Sequence, residues 1–148
     1  MIKFGLMSLR RMAELLQSGK LMARELTEHY LDRSESLQGK FNAYITITRD
    51  RALKTADQVD ELRRQGRELS TLAGIPMALK DNISTQGVAT TCASKVLAGY
   101  IPPFDATAVK KLADSPLLGK ANMDEFAMGS SSLTSAFGPV GNPWDRKR

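Results

Sequence analysis

Residues 74–83 read Gly74-Ile75-Pro76-Met77-Ala78-Leu79-Lys80-Asp81-Asn82-Ile83. A short apolar run opened by Gly and Pro and closed by a polar turn predicts a buried strand over 76–79. Lys80 then stands at the carboxyl end of that strand, where α/β proteins place catalytic groups. Burial would lower the amine from about 10.4 and let it act as a neutral base. On position alone, a surface lysine reaching into water is the commoner reading.

Working outward, the segment before this run is helical. Ser8 caps a helix over 8–18 whose apolar face is Leu9, Met12, Leu15 and Leu16, and Gly19 stops it. A second helix spans 22–37, with Met22, Leu26, Tyr30, Leu31 and Leu37 on one stripe. The β-branched alternation Tyr44-Ile45-Thr46-Ile47-Thr48 predicts a strand, and Ala52, Ala56, Val59 and Leu62 mark a third helix over 50–65. Beyond residue 72 charge thins and small residues take over. Residues 107–112 read as a helix with Asp105 as a candidate cap, and 116–119 as another buried strand. Residues 123–127 open a helix after Asn122, and 128–143 form a small-residue loop. Helices followed by strand, helix and strand make the fold class α/β. The chain is expected to be one domain over 1–148, with a helical part over 1–70 and a sheet-containing part over 71–148.

The chain has 148 residues, of which 42% are hydrophobic and 25% charged, which excludes a highly charged disordered chain. The net charge is +5, but Arg146, Lys147 and Arg148 supply three of the 21 basic residues, leaving 18 against 16 acids. These are interleaved, Arg24 with Glu25 and Glu28, Arg63 and Arg64 with Asp60 and Glu61. That pattern reads as a solvated surface rather than a nucleic-acid stripe. One cysteine, Cys92, excludes an internal disulfide and a Cys-based zinc site. No stretch approaches the roughly 18 apolar residues of a membrane span. Lys3 precedes only a short apolar stretch interrupted by Arg10 and Arg11, so no targeting peptide is read and a cytoplasmic location is expected.

Other candidates carry less. In Met128-Gly129-Ser130-Ser131-Ser132, small side chains let backbone N–H groups approach a ligand, although a flexible linker has the same composition. Asp124 and Glu125 are adjacent and point apart on a helix, so they read as helix N-terminal charge. His29 reads as a surface or packing residue and Cys92 as a buried small one.

As ordered strings, however, these segments resemble the amidase signature family. The resemblance lies in residues 74–83, Thr90-Thr91-Cys92-Ala93-Ser94, Pro103-Phe104-Asp105-Ala106-Thr107, Gly119-Lys120-Ala121-Asn122-Met123-Asp124-Glu125-Phe126-Ala127-Met128-Gly129-Ser130-Ser131, Ser135-Ala136-Phe137-Gly138-Pro139 and Asn142-Pro143-Trp144-Asp145. Within that family the Met123–Ser131 form is similar to the branch that frees ammonia from glutamine, so that Glu-tRNA(Gln) becomes Gln-tRNA(Gln) at the expense of ATP.

The resemblance implies the start of a mixed β-sheet core flanked by helices, and a Ser–Ser–Lys triad whose lysine is Lys80. Its amine would take a proton from a bridging serine, which activates a second serine to form an acyl-enzyme beside an oxyanion hole. Met128, Gly129, Ser130 and Ser131 match a loop lining the substrate pocket. No cofactor is implied for this chain. ATP and magnesium would be used in a partner, the B subunit of a heterotrimer, with a small C subunit holding the two together. Neither triad serine matches Ser130, Ser131, Ser132 or Ser135. Both lie in the family beyond the Asn-Pro-Trp-Asp string, so residues 1–148 are expected to be truncated and inactive alone. The competing readings are a truncated or frameshifted remnant, a fragment of another small-amide amidase, and an RNA-binding module. Two departures stand out: a turn about two residues short before Gly119, with Pro116 suited only to an edge or strand start, and the basic residues 146–148.

Overall fold

The computed structural model describes residues 5 and 7–145. Lys3 and the basic trio Arg146, Lys147 and Arg148 lie outside the described residues. The element order is α1 (Leu9–Gln17), α2 (Ala23–Phe41), β1 (Tyr44–Ile47), α3 (Arg49–Arg64), β2 (Met77–Lys80), α4 (Thr107–Lys111) and β3 (Leu117–Ala121). Short 3-10 turns occupy Lys95–Leu97 and Glu125–Ala127. The three strands form a mixed sheet in the order β1-β3-β2, so the α/β expectation holds. β1 runs antiparallel to β3, with Thr46 opposite Lys120 and Ile47 opposite Gly119. Bonds from Met77 N to Pro116 O (2.9 Å) and from Asp81 N to Ala121 O (3.0 Å) climb both remaining strands together, a parallel pairing.

Two compact units divide the chain, each assembled from several stretches. The first contains the described residues up to Arg33, then Arg49–Met77 and Leu112–Leu118. Its core is Met12, Leu15, Leu16, Leu21, Ala23, Leu26, Ala56, Val59 and Ile75. Ser8 caps α1 as expected, its hydroxyl accepting from Arg11 N at 3.2 Å. Leu9 (56% exposed) and Met22 (40%), members of the predicted stripes, stay exposed because Leu9 is the first residue of α1 and Met22 stands just before α2. Gly74 has φ +82°, and a Cβ there would meet Ala23 Cβ at 2.8 Å, so only glycine lets the chain pass under α2.

The acid–base mixture over 60–64 is not wholly a solvated face. Asp60 is buried, and its carboxylate accepts from Ala23 N (2.8 Å) and Arg24 N (3.0 Å), the first donors of α2. A helix N-terminus is thus capped by a residue 36 or 37 positions away, a pairing that no local window displays.

The second unit contains Ser34–Thr48, Ala78–Lys111 and the described residues from Gly119 onward. α2 runs four residues past its predicted end. Gln38 explains the extension, since its carboxamide bonds Tyr44 N (3.0 Å) and Tyr44 O (2.6 Å), and Asn42 turns the chain at φ 53°. β3 is buried over Leu117–Lys120, whereas β2 is an edge with only Leu79 buried, which corrects the expected buried strand. Pro116 sits immediately before β3, where its missing N–H costs no ladder bond. The short turn before it is closed by Ser115 N to Leu112 O (2.9 Å) and Ser115 Oγ to Leu72 O (3.0 Å). Asp105 does not cap α4. Its carboxylate instead accepts from Gln86 N at 2.7 Å, while Ala106 O takes the helical bond from Lys110 N. Among the described residues, no helix is long and apolar enough to cross a membrane.

Candidate active site

The cavity and the residues that line it belong to the second unit. Lys80 ends β2 and lines an open cavity of about 770 Å³ together with Asn122, Asp124, Gly129, Ser130, Ser131, Ser132 and Asn142. Of the residues singled out from sequence, Lys80, Gly129, Ser130 and Ser131 therefore share one cavity. Met128 is 78% exposed and is not part of its lining. Lys80 is exposed, as the surface reading of its position has it. Residues alternate across a strand, and at this edge Ala78 and Lys80 are exposed while Leu79 points inward.

The loop facing Lys80 is organised by one carboxylate. Asp124 accepts from Ser131 N (2.8 Å), Ser132 N (2.8 Å), Thr134 N (3.1 Å) and Thr134 Oγ1 (2.8 Å). The Ser132 and Thr134 amide bonds lead in holding its carboxyl at about 2, against a smaller opposing effect of burial. This overturns the helix-charge reading of Asp124. The expected helix over 123–127 is only a 3-10 turn, Phe126 and Ala127 take positive φ, and Asp124 makes no cap bond to it. Glu125 instead accepts from Ser94 Oγ at 2.6 Å. A Cβ on Gly129 would lie 2.6 Å from Asp124 Oδ2, so the loop closes over the carboxylate only with glycine there.

Asn122 joins this loop to the end of α2. Its amide donates to Asn42 O (3.1 Å) and Gly138 O (2.9 Å), and its carbonyl accepts from Met123 N (2.8 Å) and Ser135 Oγ (2.7 Å). Cys92 and Ala93 take φ of 52° and 54°, and their carbonyls accept from Phe126 N and Ala136 N, both at 2.9 Å. Strained backbone held by cross-loop bonds thus ties residues 92 and 93 to residues 126 and 136 without a regular element. Cys92 is half-buried, and burial raises its thiol pKa. His29, in the first unit, packs edge-on to Tyr30 with ring centroids 5.3 Å apart.

Sequence reasoning passed over two charged residues behind Lys80. Lys120 is fully buried, and its Nζ donates to Ile83 O (2.6 Å), Thr90 Oγ1 (2.8 Å) and Thr85 Oγ1 (3.3 Å). Burial pushes its amine pKa below the ordinary lysine value, and the negative charge of Asp81 opposes that shift. Asp81 is equally buried, with Oδ2 accepting from Thr91 N (2.9 Å), Thr91 Oγ1 (2.5 Å) and Ala93 N (3.3 Å). The signal was available: Lys120, like Lys80, comes at the carboxyl end of a short apolar run.

The sequence profile of the amidase family matches residues 25–148. The A subunit of the glutamyl-tRNA(Gln) amidotransferase from Synechococcus sp. (strain WH7803) is 48% identical over 141 residues, covering 94% of this chain and 29% of the relative. The chain thus spans under a third of the length of the curated relatives it matches. Among solved structures, the native peptide amidase from Stenotrophomonas maltophilia superposes with a TM-score of 0.88 at 34% identity, over 97% of this chain and 31% of that one. The A subunit of the glutamyl-tRNA(Gln) amidotransferase from Thermotoga maritima superposes with a TM-score of 0.76 at 34% identity, over 100% of this chain and 30% of that one.

Proposed function

Because this chain belongs to the amidase family, we propose that it is the lysine-bearing part of a glutaminase, the ammonia-releasing subunit of a glutamyl-tRNA(Gln) amidotransferase. The observation that carries the reading is the shared cavity. The Lys80 amine stands at a strand end facing the Gly129–Ser132 loop, which Asp124 holds in one conformation. An amine facing a loop of small residues suits proton exchange with a hydroxyl brought into the cavity.

In this reading Lys80 takes the proton of a bridging serine, which takes that of a second serine. The second serine attacks the carboxamide carbon of glutamine, and the proton returns to the leaving nitrogen. Ammonia departs as the acyl-enzyme forms, and water hydrolyses the acyl-enzyme to glutamate. Both serines come from outside residues 1–148. The B subunit uses the ammonia with ATP and magnesium to amidate Glu-tRNA(Gln), the C subunit holds the two together, and the assembly works in the cytoplasm. A polypeptide of residues 1–148 alone then releases no ammonia.

The test is a graft. Residues 1–148 replace the matched stretch of the Synechococcus protein, which is assayed with its own partners. Glutamine-dependent ammonia release is expected in the graft. It should fall by about 10²–10⁴-fold in Lys80→Ala, the range of a general base. Lys80→Arg should fall as far, because arginine cannot deprotonate. A folded graft indifferent to Lys80→Ala would refute the assignment of Lys80. The peptide amidase superposes better than the Thermotoga protein, which favours a small-amide amidase as the second reading. Release from peptide amides but not from glutamine would select it.

A further inference from the structure

We propose that Lys120 is a positioning residue for Lys80: from the buried central strand, its amine pins the segment that follows Lys80 and so holds the end of β2 in place. The catalytic role of Lys80 rests on the reading above; the anchor does not.

Three observations converge. The three acceptors around Lys120 Nζ match the three protons of an ammonium, and all belong to residues 83–90. The two hydroxyls are oriented to accept, since Thr85 Oγ1 donates to Ile83 O (3.0 Å) and Thr90 Oγ1 to Val88 O (3.2 Å). The neighbouring residue on the same strand also grips the Lys80–Asp81 peptide through the main chain, Asp81 N donating to Ala121 O at 3.0 Å. β3 therefore grips the chain beyond Lys80 twice, by backbone at Asp81 and by the Lys120 side chain at residues 83–90.

Charge supports the geometry. A buried ammonium is expensive unless it is fully bonded and electrically compensated. The bonds here are complete, and the Asp81 charge favours the protonated amine. Asp81 in turn ties residues 91–93 through its Oδ2, so the two buried charges hold successive parts of one segment. An apolar side chain would fill the same space without fixing any carbonyl or hydroxyl.

The experiment is peptide-resolved amide hydrogen exchange with trace acetylation of Lys80, on the 148-residue chain and on Thr90→Val, Thr90→Ser and Lys120→Met. Thr90→Val removes one acceptor of the Lys120 amine, together with the longer hydroxyl bond to Val88 O, at nearly constant volume. Exchange over residues 81–94 should rise about tenfold, the loss of one charge-assisted bond. The Lys80 acetylation rate should change with it, while exchange in α3 stays constant. Thr90→Ser keeps the hydroxyl and should restore both readouts. Lys120→Met should loosen the same segment further. Should it unfold α1 and α3 as well, the Thr90 pair decides. The proposal is overturned if residues 81–94 are unprotected in the wild type, if Thr90→Val matches the wild type, or if Thr90→Ser behaves like Thr90→Val. None of these readouts needs turnover, so an inactive graft with the Thr90 contrast intact would sink the glutaminase reading and leave the anchor standing.

Discussion

Asp60→Ala removes a helix cap supplied across the first unit. Asp60 is 6% exposed and accepts the Ala23 amide at 2.8 Å and the Arg24 amide at 3.0 Å. The amide just before the helix, Met22 N, donates to Glu25 Oε2 at 3.2 Å. The Ala23 amide is buried, so alanine leaves it unpaired at a cost of about 1–3 kcal/mol. The Arg24 amide is half-buried and recovers most of its loss by bonding water. Losing the negative charge near the N-terminus of α2 adds about 0.3–1 kcal/mol. The whole effect is about 3 kcal/mol. An unfolding entropy of about 0.3 kcal/mol/K for a chain of this length converts it to a drop of about 10 °C in Tm. Asp60→Asn keeps one acceptor oxygen and should lose about 3 °C by the same conversion. Far-UV circular dichroism melts of the two variants and the wild type are the assay. An Asp60→Ala variant melting within about 2 °C of the wild type would show that α2 does not depend on this cap, since caps of this kind carry about 0.5–2 kcal/mol even when exposed.

Other outcomes follow from the same geometry. Gly119→Ala should destabilise more than Asp60→Ala, because the added Cβ falls on the Thr46 carbonyl oxygen and lies 2.9 Å from the Tyr44 ring, prising β1 from β3; a soluble variant with an unchanged melt would refute the register. The Asp124 carboxyl has a folded value of about 2 against 3.8 unfolded. Its contribution is therefore fully present above about pH 4 and lost as the pH falls through about 2. Amide exchange at Ser131, Ser132 and Thr134, corrected for intrinsic rates, should rise in that window, and Asp124→Asn should abolish the dependence. Gly129→Ala should raise exchange at the same three amides at neutral pH, because its Cβ meets the Asp124 carboxylate; unchanged protection would mean that the loop closes without glycine.

Much of the fold was legible because local chemistry decided it. Ser8 caps α1, Ala52, Ala56 and Val59 space the buried face of α3, and the apolar runs before Lys80 and Lys120 became strands. The strings at 74–83 and 119–131 pointed to the amidase family before any coordinates. What stayed hidden depends on partners beyond the reach of a single helical turn or strand. Gln38 extends α2 by bonding Tyr44 beyond its end, and Asp105 answers Gln86 rather than its own helix. Asp124 looked like helix charge until the loop over 131–134 folded around it.

The amino-acid order by itself therefore determined most element types, the α/β class and the family, and singled out Lys80 as a candidate, because periodicity, capping and motif spacing are properties of contiguous residues. Tertiary structure alone decided that Lys80 is exposed at an edge strand, that it shares a cavity with Gly129, Ser130 and Ser131 but not Met128, and that Lys120 and Asp81 lie buried behind it. Burial and hydrogen-bond partners are set by which segments pack together, and a charged side chain carries no local sign of whether water or a folded loop will satisfy it.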